Sequence, residues 1–218
     1  MLLIMILSIL FQRAGETEER IMFWNLENFF DWKDDGVSDS EYEFSAAGAR
    51  HWTYRRFKTK AAAVAKTILW AAAEHGGLPD VIGFAEIENA FVLKQMLSHT
   101  VLRKLDYRIV HYDSPDPRGI DCGLIYRGSR LELVESRPCR VSAPGLTTRD
   151  ILLAQFRCRD GDSLAVMVNH HPSKYGGGED WRRKAAIGRL REISDSLASK
   201  GWSHQVAVGD FNDVPSNP

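Results

Sequence analysis

Short apolar runs alternate with longer amphipathic stretches along this chain. The runs at 20–25, 81–85, 107–112, 122–126, 131–135, 151–158, 163–169 and 205–209 predict eight strands. Several are apolar at consecutive positions, the pattern of strands covered on both faces. Three longer segments repeat at helical spacing. In 54–75, Phe57, Ala61, Val64 and Ile68 recur every three or four residues, and Gly76, Gly77 and Pro79 end the run. Asn89 is a good N-cap for a second helix carrying Val92, Leu93, Met96 and Leu97. A third helix covers 179–200 with Ala186, Leu190, Ile193 and Leu197 on one stripe, closed by Gly201. Strands interleaved with helices predict a mixed α/β domain. The segments at 31–48, 114–119, 137–148 and 171–178 read as loops at strand ends, where rigid scaffolds tend to place function.

Composition narrows this only slightly. The 218 residues fit one domain, and 44% hydrophobic with 26% charged residues is ordinary for a globular protein. A net charge of -1 supplies no global basic field, so nucleic-acid binding is neither supported nor excluded. Cys122, Cys139 and Cys158 are widely spaced with no CxxC pair, which argues against a zinc ribbon or a disulfide framework and for three small buried apolar residues. Residues 1–11 are apolar except for Ser8. This run is too short to span a bilayer, so stable membrane insertion is not expected. It matches the apolar part of a secretory signal, although no Lys or Arg precedes it; the competing reading is a packed strand or helix. The chain therefore divides into a signal peptide or N-terminal extension at 1–16 and a domain at 17–218. A signal would place the protein outside the cytoplasm, secreted or periplasmic; otherwise it is cytoplasmic. No obligate protein partner is indicated.

Three strand ends carry oxygen-bearing side chains two residues apart: Asn25/Glu27, Glu86/Glu88 and Asp210/Asn212. In an extended chain, residues i and i+2 share a face, so each pair is expected to address one location. Converging carboxylates repel unless a cation lies between them, and carboxylate and amide oxygens suit a hard ion such as Mg²⁺, Mn²⁺ or Ca²⁺. Any one pair alone reads as a cap or turn; three together shift the balance. His170 and His171 end another strand and enter a glycine-rich stretch, where one of them can face a ligand. Arg118, after two prolines, can clamp a phosphate or form a surface salt bridge with Asp116 or Asp121.

In this order the segments resemble the endonuclease/exonuclease/phosphatase superfamily. The resemblance runs over 20–215 and rests on Trp24-Asn25-Leu26-Glu27-Asn28, the 50–68 helix with Trp52 and Lys60, Asp80 to Glu86, Arg118-Gly119-Ile120-Asp121, His170, and Gly209-Asp210-Phe211-Asn212. The segments 118–121 and 169–178 look most like a bacterial branch. The resemblance implies a four-layer α/β sandwich of two packed mixed sheets flanked by helices. It also implies roles: Glu86 as principal metal ligand, Asn25 on metal and phosphate, Glu27 as a neighbouring acid sharing the metal, His170 on the scissile phosphate, Asp210 and Asn212 on the attacking water, and Arg118 facing phosphate. The family's closing Ser-Asp-His motif is not found, which implies a C-terminal truncation and a sandwich without its last strand or strands.

The expected activity is divalent-metal-dependent hydrolysis of a phosphodiester or phosphomonoester by in-line water attack, with Mg²⁺ or Mn²⁺ as cofactor. A nuclease would present a basic strip, for which Arg55, Arg56, Lys58 and Lys60 are candidates; a lipid phosphodiesterase would expose aromatics, for which Trp32, Tyr42, Phe44 and Trp52 are candidates. Solvated helix and ordinary packing are the plainer readings of these residues. The alternative function is a non-catalytic or inert copy of the fold.

Overall fold

The computed structural model describes the backbone of residues 4–8 and the whole of residues 18–36, 38–174 and 180–214. Among the described residues, nine strands form two mixed sheets. In the first, β1 (Ile4–Ser8) pairs antiparallel with β2 (Arg20–Phe29), which runs parallel to β3 (Val81–Ile87). β3 then pairs antiparallel with β5 (Asp121–Arg127), and β5 with β4 (Tyr107–His111). The second sheet is a meander of β6 (Leu131–Cys139), β7 (Ile151–Cys158) and β8 (Ser163–His170), with β9 (His204–Asp210) added parallel to β8.

Four layers follow from the alternation of side chains along the doubly covered strands. Ile21 and Phe23 of β2 point to the second sheet and meet Phe156, Val166 and Val208 there. Met22 and Trp24 point the other way, onto α2 (Tyr54–Glu74) and α3 (Ala90–Ser98), where Phe57, Ile68, Leu93 and Met96 are buried. β7 divides similarly: Leu152, Ala154 and Phe156 face the first sheet, while Ile151 and Leu153 face Ala186, Ile193 and Leu197 of α4 (Asp180–Ser199). The expected two-sheet α/β sandwich is the observed architecture. All three cysteines are free and buried, as their spacing suggests.

Several boundaries differ from the sequence reading. β2 continues past Asn25 to Phe29, β3 past Ala85 to Ile87, and β6 past Glu135 to Cys139. β6 lies at the end of its sheet and is half exposed, where Pro138 costs no shared ladder bond on its open side. The acidic stretch at 31–48 contains a short helix, α1 (Asp39–Glu43), capped by Ser38 Oγ accepting from Glu41 N. Five residues are too few for a periodic signal. The apolar N-terminal run includes β1 beside β2; the rest of 1–16, the glycine-rich stretch 175–178 and the expected third-helix start at 179 lie outside the described residues.

Candidate functional site

The C-terminal ends of β2 and β3 meet those of β8 and β9 across the sandwich. Asn25 is the link: its Nδ2 donates to Glu86 Oε1 at 3.3 Å and to Asp210 Oδ2 at 3.1 Å. One amide group thus spans a carboxylate from each sheet. His170 is the register partner of Asp210, and its Nε2 lies 3.7 Å from Glu86 Oε1. Asn212 closes the ring, with its N–H on Asp210 Oδ1 at 3.0 Å and its Nδ2 on the His171 carbonyl at 2.8 Å. Four of the expected site residues are joined in one chain of contacts, Asp210 to Asn25 to Glu86 to His170, and Asn212 braces Asp210.

The i/i+2 expectation holds for Asp210 and Asn212, which line one pocket with Asn25, and fails for Glu86 and Glu88, which part. Glu27, Asn28, Glu86 and Asn212 have φ of 54°, 56°, 58° and 49°, in the left-handed region. The chain kinks at these positions, and the β2–β3 register shifts between Asn25 and Phe29. Glu27 consequently keeps its backbone against Asn25 while its side chain turns outward. Its side chain is exposed; its N–H bonds Asn25 Oδ1 at 2.9 Å, and its carbonyl accepts from Lys60 Nζ at 2.9 Å. The following Asn28 N–H donates to Glu86 Oε2 at 2.9 Å, fixing that carboxylate.

Glu88 likewise parts from Glu86. Its carboxylate accepts from Asp31 N at 2.7 Å, and Asp31 and Glu41 carboxylates lie against it. Burial first, then the charges of Asp31 and Glu41 and a hydrogen bond with Glu41, raise the Glu88 pKa to about 8 despite the opposing Asp31 N–H. Asp31 is also raised, chiefly by burial. Lys60, part of the family helix motif and also a candidate for a basic strip, leaves its exposed neighbours Arg55, Arg56 and Lys58 and turns toward the site. Its ammonium lies 5.2 Å from the Phe29 ring and 5.6 Å from that of Trp52. Burial lowers its pKa to about 8 against the attraction of Glu27 and Glu86.

Of the aromatic candidates, Trp52 bonds the Phe30 carbonyl through Nε1, and Phe44 stacks on Phe30. Trp32 packs among Tyr54, Phe57 and Phe91, while Tyr42 is exposed.

The two histidines, the last residue of β8 and the one after it, turn to different partners. His170 faces Glu86, and His171 meets Phe211 edge-on. Burial, then the charges of Arg149, Arg118 and His171, hold His170 well below the usual imidazole range. Burial and Arg149 bring His171 to about 4. Both imidazoles are therefore neutral near pH 7. Arg118 is half exposed, and its Nε lies 3.4 Å from Asp116 Oδ1, the salt bridge the sequence allowed; its charge still reaches His170. Arg149, which carries no sequence signal, sits buried behind His170.

Among the described residues, His111, Asp113 and Asp121 form one further group with ligand atoms within 4.8 Å of one another. Asp121 approaches Nε2 at 3.2 Å and Asp113 approaches Nδ1 at 3.9 Å. Carboxylates on opposite ring nitrogens clamp an imidazole; they do not converge on one point as metal ligands do. The oxygen-rich group of Glu86, Asp210 and Asn25 fits a hard cation better. It has two carboxylates within reach of one nitrogen, and the neighbouring His170 is neutral.

The sequence pattern of the Endonuclease/Exonuclease/phosphatase family matches residues 20–218. The chain belongs to this family. The family joins nucleases and phosphatases, enzymes that hydrolyse phosphate ester bonds. Nocturnin of Xenopus laevis is 26% identical over 155 residues, covering 63% of this chain and 37% of its own length. Among solved structures, the human Nocturnin catalytic domain with bound sulfate aligns with a TM-score of 0.61 at 21% identity, covering 91% of this chain and 66% of that one. A Bacteroides thetaiotaomicron mannosyl-6-phosphatase aligns with a TM-score of 0.56 at 18% identity, covering 86% of this chain and 65% of that one. These likenesses carry the fold. The chain spans just over a third of the curated relative's length.

Proposed function

We propose that this family member is a divalent-cation-dependent phosphoesterase that hydrolyses its substrate by direct in-line attack of water. The observation that carries the reading is the Asn25 amide held between Glu86 and Asp210 with His170 alongside. Two carboxylates gathered at one nitrogen leave excess negative charge at a strand-end rim, which a cation would offset. Glu86 and Asn25, with Glu27 nearby, are the groups that would hold Mg²⁺ or Mn²⁺. A bound ion would neutralise charge on the phosphate and the leaving oxygen.

The chain's own residues supply the rest. Asp210, fixed by Asn25 and by the Asn212 N–H, accepts a proton from water and orients it. His170 is neutral and buried, and so donates to a phosphate oxygen from a fixed direction. Arg118, half exposed, retains a fork able to take up two phosphate oxygens. No covalent enzyme intermediate is needed, because positioning and charge stabilisation suffice for this chemistry. The test is hydrolysis of bis(p-nitrophenyl) phosphate and p-nitrophenyl phosphate with Mg²⁺ or Mn²⁺. Glu86→Gln and Asp210→Ala should abolish it, and most activity surviving in both would refute the assignment. The two substrates separate phosphodiesterase from phosphomonoesterase action, and plasmid DNA tests for a nuclease.

The apolar run at 1–11 supports export. Cleavage of a signal would remove β1 and leave β2 at the edge of its sheet. N-terminal sequencing of the protein recovered outside the cytoplasm tests this.

A further inference from the structure

Arg149 is 7% exposed and lies just before β7. A buried guanidinium is costly unless its donors are matched by acceptors. Here its Nε donates to the His170 carbonyl at 3.2 Å, its Nη2 to the His171 carbonyl at 2.9 Å, and its Nη1 to Asp116 Oδ2 at 2.6 Å. The three acceptors come from two separate segments. His170, the last residue of β8, and His171 after it lie beyond the last position paired with β7, Val168, so β7 offers their carbonyls no ladder partner. Asp116 belongs to the loop before β5 and is itself buried.

Each acceptor leads on to a group assigned to the substrate phosphate or the attacking water. The His171 carbonyl also accepts from Asn212 Nδ2. The other oxygen of Asp116 accepts from Arg118 N at 3.0 Å and faces its Nε at 3.4 Å. The His170 carbonyl fixes the backbone from which the imidazole reaches Glu86. One planar fork therefore touches the supports of His170, Asn212 and Arg118 at once. A lysine ammonium is a point charge on a flexible stem and cannot reproduce three fixed donor directions.

We propose that Arg149 is the positioning residue of this site: its guanidinium locks the His170–His171 strand end to the Arg118 loop and so sets the spacing of the groups that grip the phosphate. This rests on the phosphoesterase reading above. Misplacing such groups by about 1 Å costs on the order of 10²-fold in rate.

The experiment compares the whole chain with Arg149→Lys and Asp116→Asn. Arg149→Lys should lower kcat by about 10²-fold with KM changed less than about threefold, because the groups remain but are misaligned. Asp116→Asn frees the Arg118 loop while leaving the two carbonyl bonds, and should raise KM more than it lowers kcat. Losses in the double variant should fall short of additive, since both act through one link. Where Arg149→Lys does not fold, Arg149→Ala assayed with added guanidinium should recover activity, and ammonium at equal concentration should not. NMR of the imidazole nitrogens supplies a readout independent of hydrolysis: His170 resonances should shift and broaden in folded Arg149→Lys. Unchanged His170 resonances overturn the inference even for an inactive chain. Wild-type kcat and KM in Arg149→Lys overturn it while leaving the phosphoesterase reading intact. Absence of hydrolysis in the wild type overturns that reading alone.

Discussion

Glu88 gives the most direct test of the electrostatics around the site. Its folded pKa of about 8 stands above its ordinary value of 4.5, so the folded chain holds this proton more tightly than the unfolded chain. Between those two values the folded state carries the extra proton, and raising the pH through the window removes stability until it levels off above about 8. His171 works in the opposite direction lower down: its pKa falls from 6.5 to about 4, so stability rises with pH across that interval. Lys60, lowered from 10.5 to about 8, acts only above that. The span from pH 6.5 to 8 is therefore where Glu88 contributes most, and comparison with a Glu88 variant cancels the other groups. At roughly 1.4 kcal/mol per pH unit, crossing it costs the wild type on the order of 2 kcal/mol. Glu88→Gln keeps the shape, an oxygen for the Asp31 N–H and a donor for Glu41, with nothing to titrate. Urea unfolding of both proteins at pH 6.5 and pH 8, with divalent ions chelated, should show the variant gaining about 2 kcal/mol on the wild type between the two conditions. A stability difference that is the same at both pH values would show that Glu88 does not carry the proton and that the trio is balanced in some other way.

Other consequences can be measured as directly. Mg²⁺ should raise the wild-type Tm by mass action, and Glu86→Gln should lose that increase in differential scanning fluorimetry. A Cβ at Gly209 would stand 2.3 Å from the Asn169 carbonyl oxygen, so Gly209→Ala should push β9 from β8, separate Asp210 from His170, and lower both Tm and hydrolysis. Phe57 is fully buried and stacks on Phe29 at 5.1 Å, so Phe57→Ala should cost about 3–5 kcal/mol in chemical unfolding. In competitive acetylation across a pH series, Lys60 should titrate near pH 8, well below the ordinary lysine value of 10.5.

The layers were legible because they obey simple periods. β2 and β7 are apolar at consecutive positions because successive side chains enter different cores, and helix stripes such as Phe57, Ala61, Val64 and Ile68 each meet one face of a sheet. The site was legible only as residue types. Asn25, Glu86, His170 and Asp210 could be named from the strand ends they occupy, but their partners could not, because the period-2 rule holds only while the chain stays extended. Four of the five non-glycine positive-φ residues among those described, Glu27, Asn28, Glu86 and Asn212, stand at these strand ends. Each such residue costs on the order of 1 kcal/mol or more, and each is held by bonds made within the site. Glu27 is held by Asn25 Oδ1 and Lys60, Asn28 by Glu86, and Asn212 by Asp210 and the His171 carbonyl. The strain and the bonds that offset it therefore depend on the same side chains. Arg149 belongs to the same arrangement from behind, where a lone arginine before a strand carries no period at all. A substitution at Asn25, Glu86 or Asp210 removes a chemical group and also releases a kinked strand end. The extra stability that Glu86→Gln should give without metal, by relieving carboxylate repulsion, is accordingly smaller than charge alone would give, because the Asn28 turn must then rest on a neutral acceptor.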